Sequence, residues 1–587
     1  MFCHHRSPFL NLFLILGLLL ISPALAVAED NPAKLLPGST IFYAEITDPP
    51  AILDGLLEHP VTKRLKEEEV YQEILKDSKV AEFLLILDYV ENEVGMEWND
   101  ALKALTAGGI TIAFDAESKG AVLFLKAKDE QSLKKLVETM MKLVRQDAAD
   151  NNRDDPYDVD EYRGITTYGV KNGGFALYEQ WLVFASNEKI GMTLLDGLLD
   201  GKTPNCLADN KQFQEAKSKK IKSDAVWLYA DLNTIRDAGI AKKLFAGKAE
   251  DPFGEILLGG ILDILEEAPY VTASLSGARQ SAQLRLSVPF EQSWVSESRE
   301  HYFGPRGTGQ AIAIPDLPNL LFAASAYRNF SEMWLRAGDL FNEKINDKFA
   351  EADSTLTTLF SGKDFGEDIL GALSPEILFI ATRQEFPQDR PAPALKLPAF
   401  ALVAEMREPK TTSKEFRRLF QSLIGFFNVV GSMNGQPQLE LDMDKFEGGE
   451  LVSATFVPLA GEEDKDPARI NFNFSPTVAF SGNRVIVSST TELARNLVAV
   501  KEPKERDSDT LVNTAALLSA PVTKAALEDN LSQLISNNML EEGHSREEAE
   551  TEIGILLKLL GYFQAASLSL ETSKGTLSLQ LNVELSK

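Results

Sequence analysis

Apolar and polar positions follow two periods along this chain, and the order in which the periods appear recurs. The stretch 36–65 sets the pattern. Leu36-Pro37-Gly38-Ser39 is a turn, because Pro presets φ and Gly tolerates a positive φ. Thr40–Ile46 is rich in β-branched and aromatic residues and predicts a strand. Asp48 ahead of Pro49 and Pro50 predicts a helix start, since its carboxylate can accept from free N–H groups and Pro is tolerated in the first turn. Ile52, Leu53, Leu56 and Leu57 then recur at helical spacing and predict a face turned to a core.

The same succession of elements is written twice. A short helix at Asp100–Leu105 and a strand at Ile110–Ala113 match Asp368–Leu373 and Leu378–Ala381. Apolar strands follow at Ala121–Ala127 and Ala399–Met406. Each leads into a helix: Leu133, Leu136, Val137, Met140, Met141 and Val144 occupy the same relative positions as Phe416, Leu419, Phe420, Leu423, Ile424 and Phe427. Asp129 is the cap of the first helix and Thr412 or Ser413 of the second. Trp181–Ser186 and Arg484–Ser489 open matching strand-to-helix passages. Each copy closes with an apolar helix and two strands, Ile256–Val288 and Ile553–Glu584, which share Ala-Ser-Leu-Ser at Ala273 and Ala566. The opening unit returns at Leu317-Pro318-Asn319 with Leu320–Ala326. The pattern predicts an α+β fold of two tandem similar halves, 31–290 and 311–587, each a mainly antiparallel sheet packed with helices. Polar residues 291–310, broken by Gly304-Pro305 and Gly307, read as the linker.

The N-terminus departs from this pattern. Arg6, the apolar run Phe9–Ile21 and Ala24-Leu25-Ala26 form the basic, apolar and small-residue regions of a secretory signal peptide, residues 1–26. The run is shorter than the roughly 20 residues of a membrane span, and no later run is longer. The chain is therefore expected in the periplasm or outside the cell, with no stable membrane span after cleavage; the other reading keeps the segment as an anchor. Among 587 residues, 44% are hydrophobic and 25% charged, an ordinary globular balance, but the net charge is -28. Such a surface repels nucleic acid and anionic membranes. Only Cys206 remains after cleavage, so no intrachain disulfide can form, and this thiol reads as packed rather than nucleophilic.

Little in the sequence carries chemistry. His59, His301 and His544 stand far apart, and the spacings of zinc, nucleophile-elbow, dinucleotide and phosphate-loop motifs are missing. No catalytic or cofactor-binding residue is assigned. Asp150, Asn152, Asp154, Asp158 and Glu161 fall at positions 1, 3, 5, 9 and 12 of a calcium loop. Asp155 stands where that loop needs Gly, and Pro156 follows, so a solvated acidic loop is the competing reading. Glu462–Asp466 reads as acidic surface, and Lys217–Ser223 (KSKKIKS) as a solvated turn or an anion patch. The functional expectation is an exported non-catalytic module that binds an unknown protein or small molecule or associates with the envelope. Two alternatives are a carrier of an apolar ligand in a cavity between or within the halves, and a hydrolase whose site is assembled from distant residues. The Asp150–Glu161 loop and the Pro391–Pro398 insertion have no partner in the other copy, and binding is expected where the copies differ.

The first half resembles a family of exported bacterial proteins, domain-of-unknown-function family 3352. The likeness rests on Leu36-Pro37 with Tyr43, on Asn99–Phe114, and on Tyr162-Arg163-Gly164 before a hairpin. It extends through Leu207–Asn210 and Phe213 to Ala225–Asp231, with Ala230-Asp231-Leu232. It covers most of 31–240 and the second half more faintly, where Phe446-Glu447-Gly448 replaces the hairpin motif. The resemblance implies a fold and a compartment; it supplies no catalytic residues.

Overall fold

The computed structural model describes residues 31–586 apart from 68–70, 72–74, 76–77, 243–244, 246–248, 250, 279, 361, 387–391, 447–448, 460, 462–467 and 501–509. The predicted signal peptide and the Glu462–Asp466 loop lie outside the described residues, as do Pro391 and the Glu447-Gly448 pair. The protein is α+β, and its contacts divide it into two compact units. The first ends at Lys242 and regains Ala268–Pro289; the second comprises Lys243–Glu267 and Phe290–Ser586. No helix among the described residues is long and apolar enough to cross a membrane.

Among the described residues, the first unit holds ten strands: β1 (Thr40–Ile46), β2 (Ile110–Asp115), β3 (Gly120–Lys126), β4 (Asp158–Tyr162), β5 (Ile165–Val170), β6 (Gly173–Tyr178), β7 (Trp181–Ala185), β8 (Asp224–Asp231), β9 (Tyr270–Ala278) and β10 (Ser281–Pro289). They pair antiparallel in the order 4-5-6-7-3-2-1-8-9-10. Its helices include α1 (Pro49–Glu58), α2 (Trp98–Thr106), α3 (Glu130–Asp150), α4 (Glu188–Asp200) and α5 (Lys211–Ser218). Alternate strand residues turn Tyr43, Ala113, Val122, Phe124, Val183, Trp227 and Tyr229 to one face, where they form a core with Ile190, Leu194 and Phe213. The rings of Tyr43, Trp227 and Tyr229 meet Phe213 edge-on at 5.2, 5.8 and 5.2 Å.

Among the described residues, the second unit adds α6 (Pro252–Glu267) and ten strands: β11 (Leu320–Tyr327), β12 (Leu373–Thr382), β13 (Ala399–Met406), β14 (Leu439–Phe446), β15 (Gly449–Phe456), β16 (Thr477–Ser481), β17 (Arg484–Ser488), β18 (Leu511–Ser519), β19 (Phe563–Ser573) and β20 (Thr576–Leu585). Their order is 14-15-16-17-13-12-11-18-19-20, again antiparallel throughout. This is the order of the first unit with each strand number raised by ten. Further helices are α7 (Pro409–Met433), α8 (Thr491–Ala499) and α9 (Arg546–Leu560). Helices α3 and α7 end in the same way. Asn152 (φ 51°) and Gly435 (φ 65°) are left-handed. The next residue's N–H bonds back to Ala148 O (2.7 Å) in one helix and to Gly431 O (2.9 Å) in the other. The offset that lays Leu133 on Phe416 thus also lays Asn152 on Gly435.

Local expectations fare unevenly. β1 spans Thr40–Ile46 as read, and Asp48 accepts from Ala51 N at 3.0 Å. Asp129 caps α3 through Ser132 N at 2.7 Å. Helix α7, however, starts at Pro409, a turn before the expected caps, and Thr412 is buried inside it; the fixed φ of Pro at the first position starts the helix early. No side chain of α1 is fully buried, so its apolar face is only partly covered. The stripes of α3 and α7 run out of core at their far ends, where Met140, Val144 and Phe427 are exposed.

Residues 291–310 are not a polar linker. Arg299, His301, Tyr302 and Phe303 are buried in the second unit, and α6 belongs there with them. The Arg299 guanidinium grips Glu255 of α6 through Nε and Nη2, both at 2.8 Å, and also holds Asp263. Asp263 in turn accepts from Ser296 N at 2.8 Å. Arg328 is buried too. It donates to the carbonyls of Ile256 (2.7 Å) and Tyr327 (2.6 Å) and to Asn513 Oδ1 (2.8 Å), with its guanidinium 3.5 Å from the Tyr302 ring centre. Two guanidiniums against two carboxylates leave this interior neutral, provided His301 stays neutral.

It does. Burial pushes the His301 pKa down; Nδ1 sits 3.0 Å from Ser298 O, and Nε2, which has no hydrogen-bond partner, lies 3.8 Å from Glu255 and close to Arg299 and Arg328. The unfolded chain therefore takes up a proton near pH 6.5 that the folded chain refuses. The stability due to neutral His301 is complete above that pH and is lost as the pH falls toward the lowered folded value. His301→Gln should narrow the drop in unfolding free energy between pH 7 and pH 5 in urea titrations. An equal drop in both proteins would show that the ring is not held neutral.

Candidate functional site

The four-stranded run β4–β7 and helix α4 enclose the site. Tyr162 and Ile165 pair across a two-residue loop in which Arg163 (φ 51°) and Gly164 (φ 86°) are both left-handed, a turn that matches the strand twist. That loop is tied to α4: Tyr162 Oη lies 3.1 Å from Asp196, and Arg163 binds Asp196 at 2.5 Å and Asp200 at 2.9 Å. The bond from Arg163 holds the Asp200 carboxyl below its usual range. At the other end Asn187 caps α4 by accepting from Ile190 N at 3.2 Å.

Between sheet and helix lies a cavity of about 500 Å³. Missing side chains make it. Asp158 pairs with Gly169, Gly169 with Gly174 and Gly174 with Ala185, so one row across the sheet runs from a carboxylate to a floor without bulk. Gly191 on α4 faces the floor, 3.4 Å from the Ala185 methyl as measured from an added Cβ. Ala176, Val183, Met192 and Leu195 complete an apolar interior; Asp158, Asp160 and Glu188 supply carboxylates to the lining, which Glu161 also borders. Among the described residues none of these four carboxylates forms an ion pair. In the second unit the matching row reads Asp442, Ser453, Thr477, Ser488. There Ser453, Thr477 and Ser488 are all buried, and two of the hydroxyls are bonded, Thr477 to Ser475 O and Ser488 to Thr490 O, both at 2.8 Å.

The residues of the calcium reading part company here. Asp158 faces the cavity on the same side of β4 as Asp160, and Glu161, on the other face, only borders it. Asp150 is the last residue of α3, Asn152 is the left-handed residue just past its cap Asn151, and Asp154 is exposed beyond it. Asp155, at the position that needs Gly, accepts from Tyr157 N (3.0 Å) and pairs with Arg145 (3.1 Å), and the chain then extends into β4. An extended strand sends Asp158 and Glu161 to opposite faces, which a calcium loop cannot tolerate. Among the described residues no group of three or more His, Cys, Asp or Glu is placed to hold a metal ion.

The other singled-out groups are engaged elsewhere. His59 Nδ1 accepts from Val61 N at 3.2 Å, His301 is in the ion cluster, and His544 lies 3.0 Å from Asn538 and 3.3 Å from Glu552. Burial pushes the Cys206 thiol up, away from thiolate chemistry. The KSKKIKS stretch is a largely exposed turn, as read, but two of its lysines are engaged. Lys217 and Lys220 both pair with Glu45, and the Lys217 ammonium sits 4.7 Å from the Trp227 ring. Burial resists ionisation of Glu45, yet the two lysines prevail and hold its carboxyl below the usual range. Burial lowers Lys217 despite Glu45. A patch so occupied has little charge left for an anion.

No family model and no curated protein matches this chain. Among solved structures, crystal form IV of TP0453 is similar at 12% identity and a TM-score of 0.24, over 44% of this chain and 81% of that one. Crystal forms III and I are similar at 13% identity and a TM-score of 0.25, over 49% of this chain and 91% and 90% of theirs. So slight a likeness carries no argument about what this chain does.

Proposed function

We propose that this chain is an exported, non-catalytic binding module of the cell envelope, and that its first unit takes up a small apolar cation between β4–β7 and α4. The cavity carries the reading: an apolar interior walled by unpaired carboxylates selects a ligand with a hydrophobic body and a positive head. The corresponding row of the second unit carries buried Ser453, Thr477 and Ser488 in place of the glycines and Ala185, so the space is a property of one copy and not of the fold. Export rests on the N-terminal Arg6, Phe9–Ile21 and Ala24-Leu25-Ala26 pattern, and the resemblance to family 3352 agrees with it. The histidines and the cysteine, each engaged separately, favour binding over turnover.

Calorimetric titration of residues 27–587 with tryptamine tests this. Binding should weaken about three- to tenfold in Asp158→Asn/Asp160→Asn, as loss of two exposed charge contacts implies. It should vanish in Gly191→Leu, whose side chain fills the cavity. The same change should leave the melting temperature level or higher, since Leu suits a helix better than Gly by up to about 1 kcal/mol. Undiminished binding to Gly191→Leu, or none to the wild type, rejects the proposal.

A further inference from the structure

We infer that the last two turns of α7 form a lipid-binding face that seats in the interfacial layer of an uncharged bilayer. Phe426, Phe427, Val429, Val430 and Met433 are all exposed, Val429 at 63% and Met433 at 82%. At 3.6 residues per turn they spread over about half of the helix circumference. Residues 419–439 contain no charged side chain, in a chain of net charge -28. The face is firmly based: Ile424 is buried against Leu439 and Ala454, and the Asn428 amide bonds both the N–H (2.7 Å) and the C=O (2.8 Å) of Leu439. Beside it Ile470 is also exposed, between Arg469, bonded to Gly435 O at 3.3 Å, and Asn471, bonded to Gln436 at 3.2 Å.

Helix α3 is an internal control. The shared helix ending aligns Val429, Val430 and Met433 with Gln146, Asp147 and Asp150. The scaffold is content with polar residues at these positions, so the apolar ones answer to something outside the fold. Charge selects the occupant. A second copy would bring another -28, and an anionic lipid would be repelled. A neutral lipid surface takes aromatic and aliphatic side chains without demanding charge. It does demand that backbone groups be satisfied, and the Gly435 and Gln436 N–H groups close the last carbonyls of α7.

Co-sedimentation of residues 27–587 with phosphatidylcholine vesicles tests this, beside Val429→Gln/Val430→Asp/Met433→Asp, which gives α7 the residues of α3. Met433→Asp serves as a milder second variant. The wild type should pellet with the vesicles, the triple variant should bind at least about tenfold more weakly, and Met433→Asp should fall between, with melting temperatures unchanged. The inference is overturned if the wild type stays in the supernatant, if the triple variant binds equally, or if binding requires phosphatidylglycerol. It is also overturned if sedimentation velocity shows a wild-type dimer that the variant abolishes while neither binds vesicles. None of these outcomes bears on the cavity.

Discussion

Replacing Arg299 with Met is expected to destabilise the second unit by about 3–5 kcal/mol, because it leaves buried carboxylates without their counter-charge. Glu255 is fully buried and Arg299 nearly so. Water cannot take the place of the guanidinium, and the loss exceeds what the packing of the aliphatic stem could account for. The measurement is urea unfolding followed by hydrogen exchange in β11 and β18, which report on this unit. A second variant separates charge from packing. Glu255→Leu/Arg299→Met removes the bare Glu255 carboxylate and should lose less than the single change, as apolar replacement of a buried pair generally does. A single variant within about 1 kcal/mol of wild type, or a double variant worse than the single, would refute the account.

Gly173→Ala should be the other severe change. Gly173 opens β6 at φ 129°, a conformation that L side chains rarely adopt, and a Cβ there would stand 2.2 Å from Ala185 O and 2.8 Å from the Ser186 Cα. Backbone strain of about 1–3 kcal/mol adds to an overpacking cost of similar size. The obstacles are backbone atoms of β7, which cannot swing aside as a side chain would. The variant should lose about 2–5 kcal/mol and, because β6 and β7 floor the cavity, any tryptamine binding as well. Retention of both stability and binding would mean that the strands do not approach so closely.

Periodicity in the sequence was enough to place most strands within a residue or two, because burial of one face forces alternation: β1, β13 and the closing pairs stand where the pattern puts them. The pattern shows that a face is buried but not against what. Helix α6 therefore reads as the end of the first half, although Glu255 and Asp263 point to Arg299. A buried ion cluster looks like surface in one dimension, which is why 291–310 reads as a linker. The cavity is invisible for a different reason: it is composed of absences, Gly169, Gly174 and Gly191, brought together by strand register and one helix. The calcium spacing caught its wall residue Asp158 and the bordering Glu161, for a chemistry the strand geometry does not permit. Phe427 was legible as apolar, but its exposure depends on how far α7 runs past its support.

The placement of α6 has a consequence for how the chain can be made or cut. The polypeptide passes from one unit to the other after Lys242, after Glu267 and again after Pro289. No single cleavage yields two complete bodies. A fragment that begins at residue 311 lacks Glu255, Asp263, Arg299 and His301, and one that ends at residue 290 carries α6 with two acids bound for burial and no cation to meet them. During synthesis the first unit can close only after β10 has emerged, by which time α6 is already trailing as an orphan awaiting Arg299. Repetition of the strand order has thus not brought independence: the first unit is complete once β10 is made, but the second must wait with α6 until the residues after Pro289 follow.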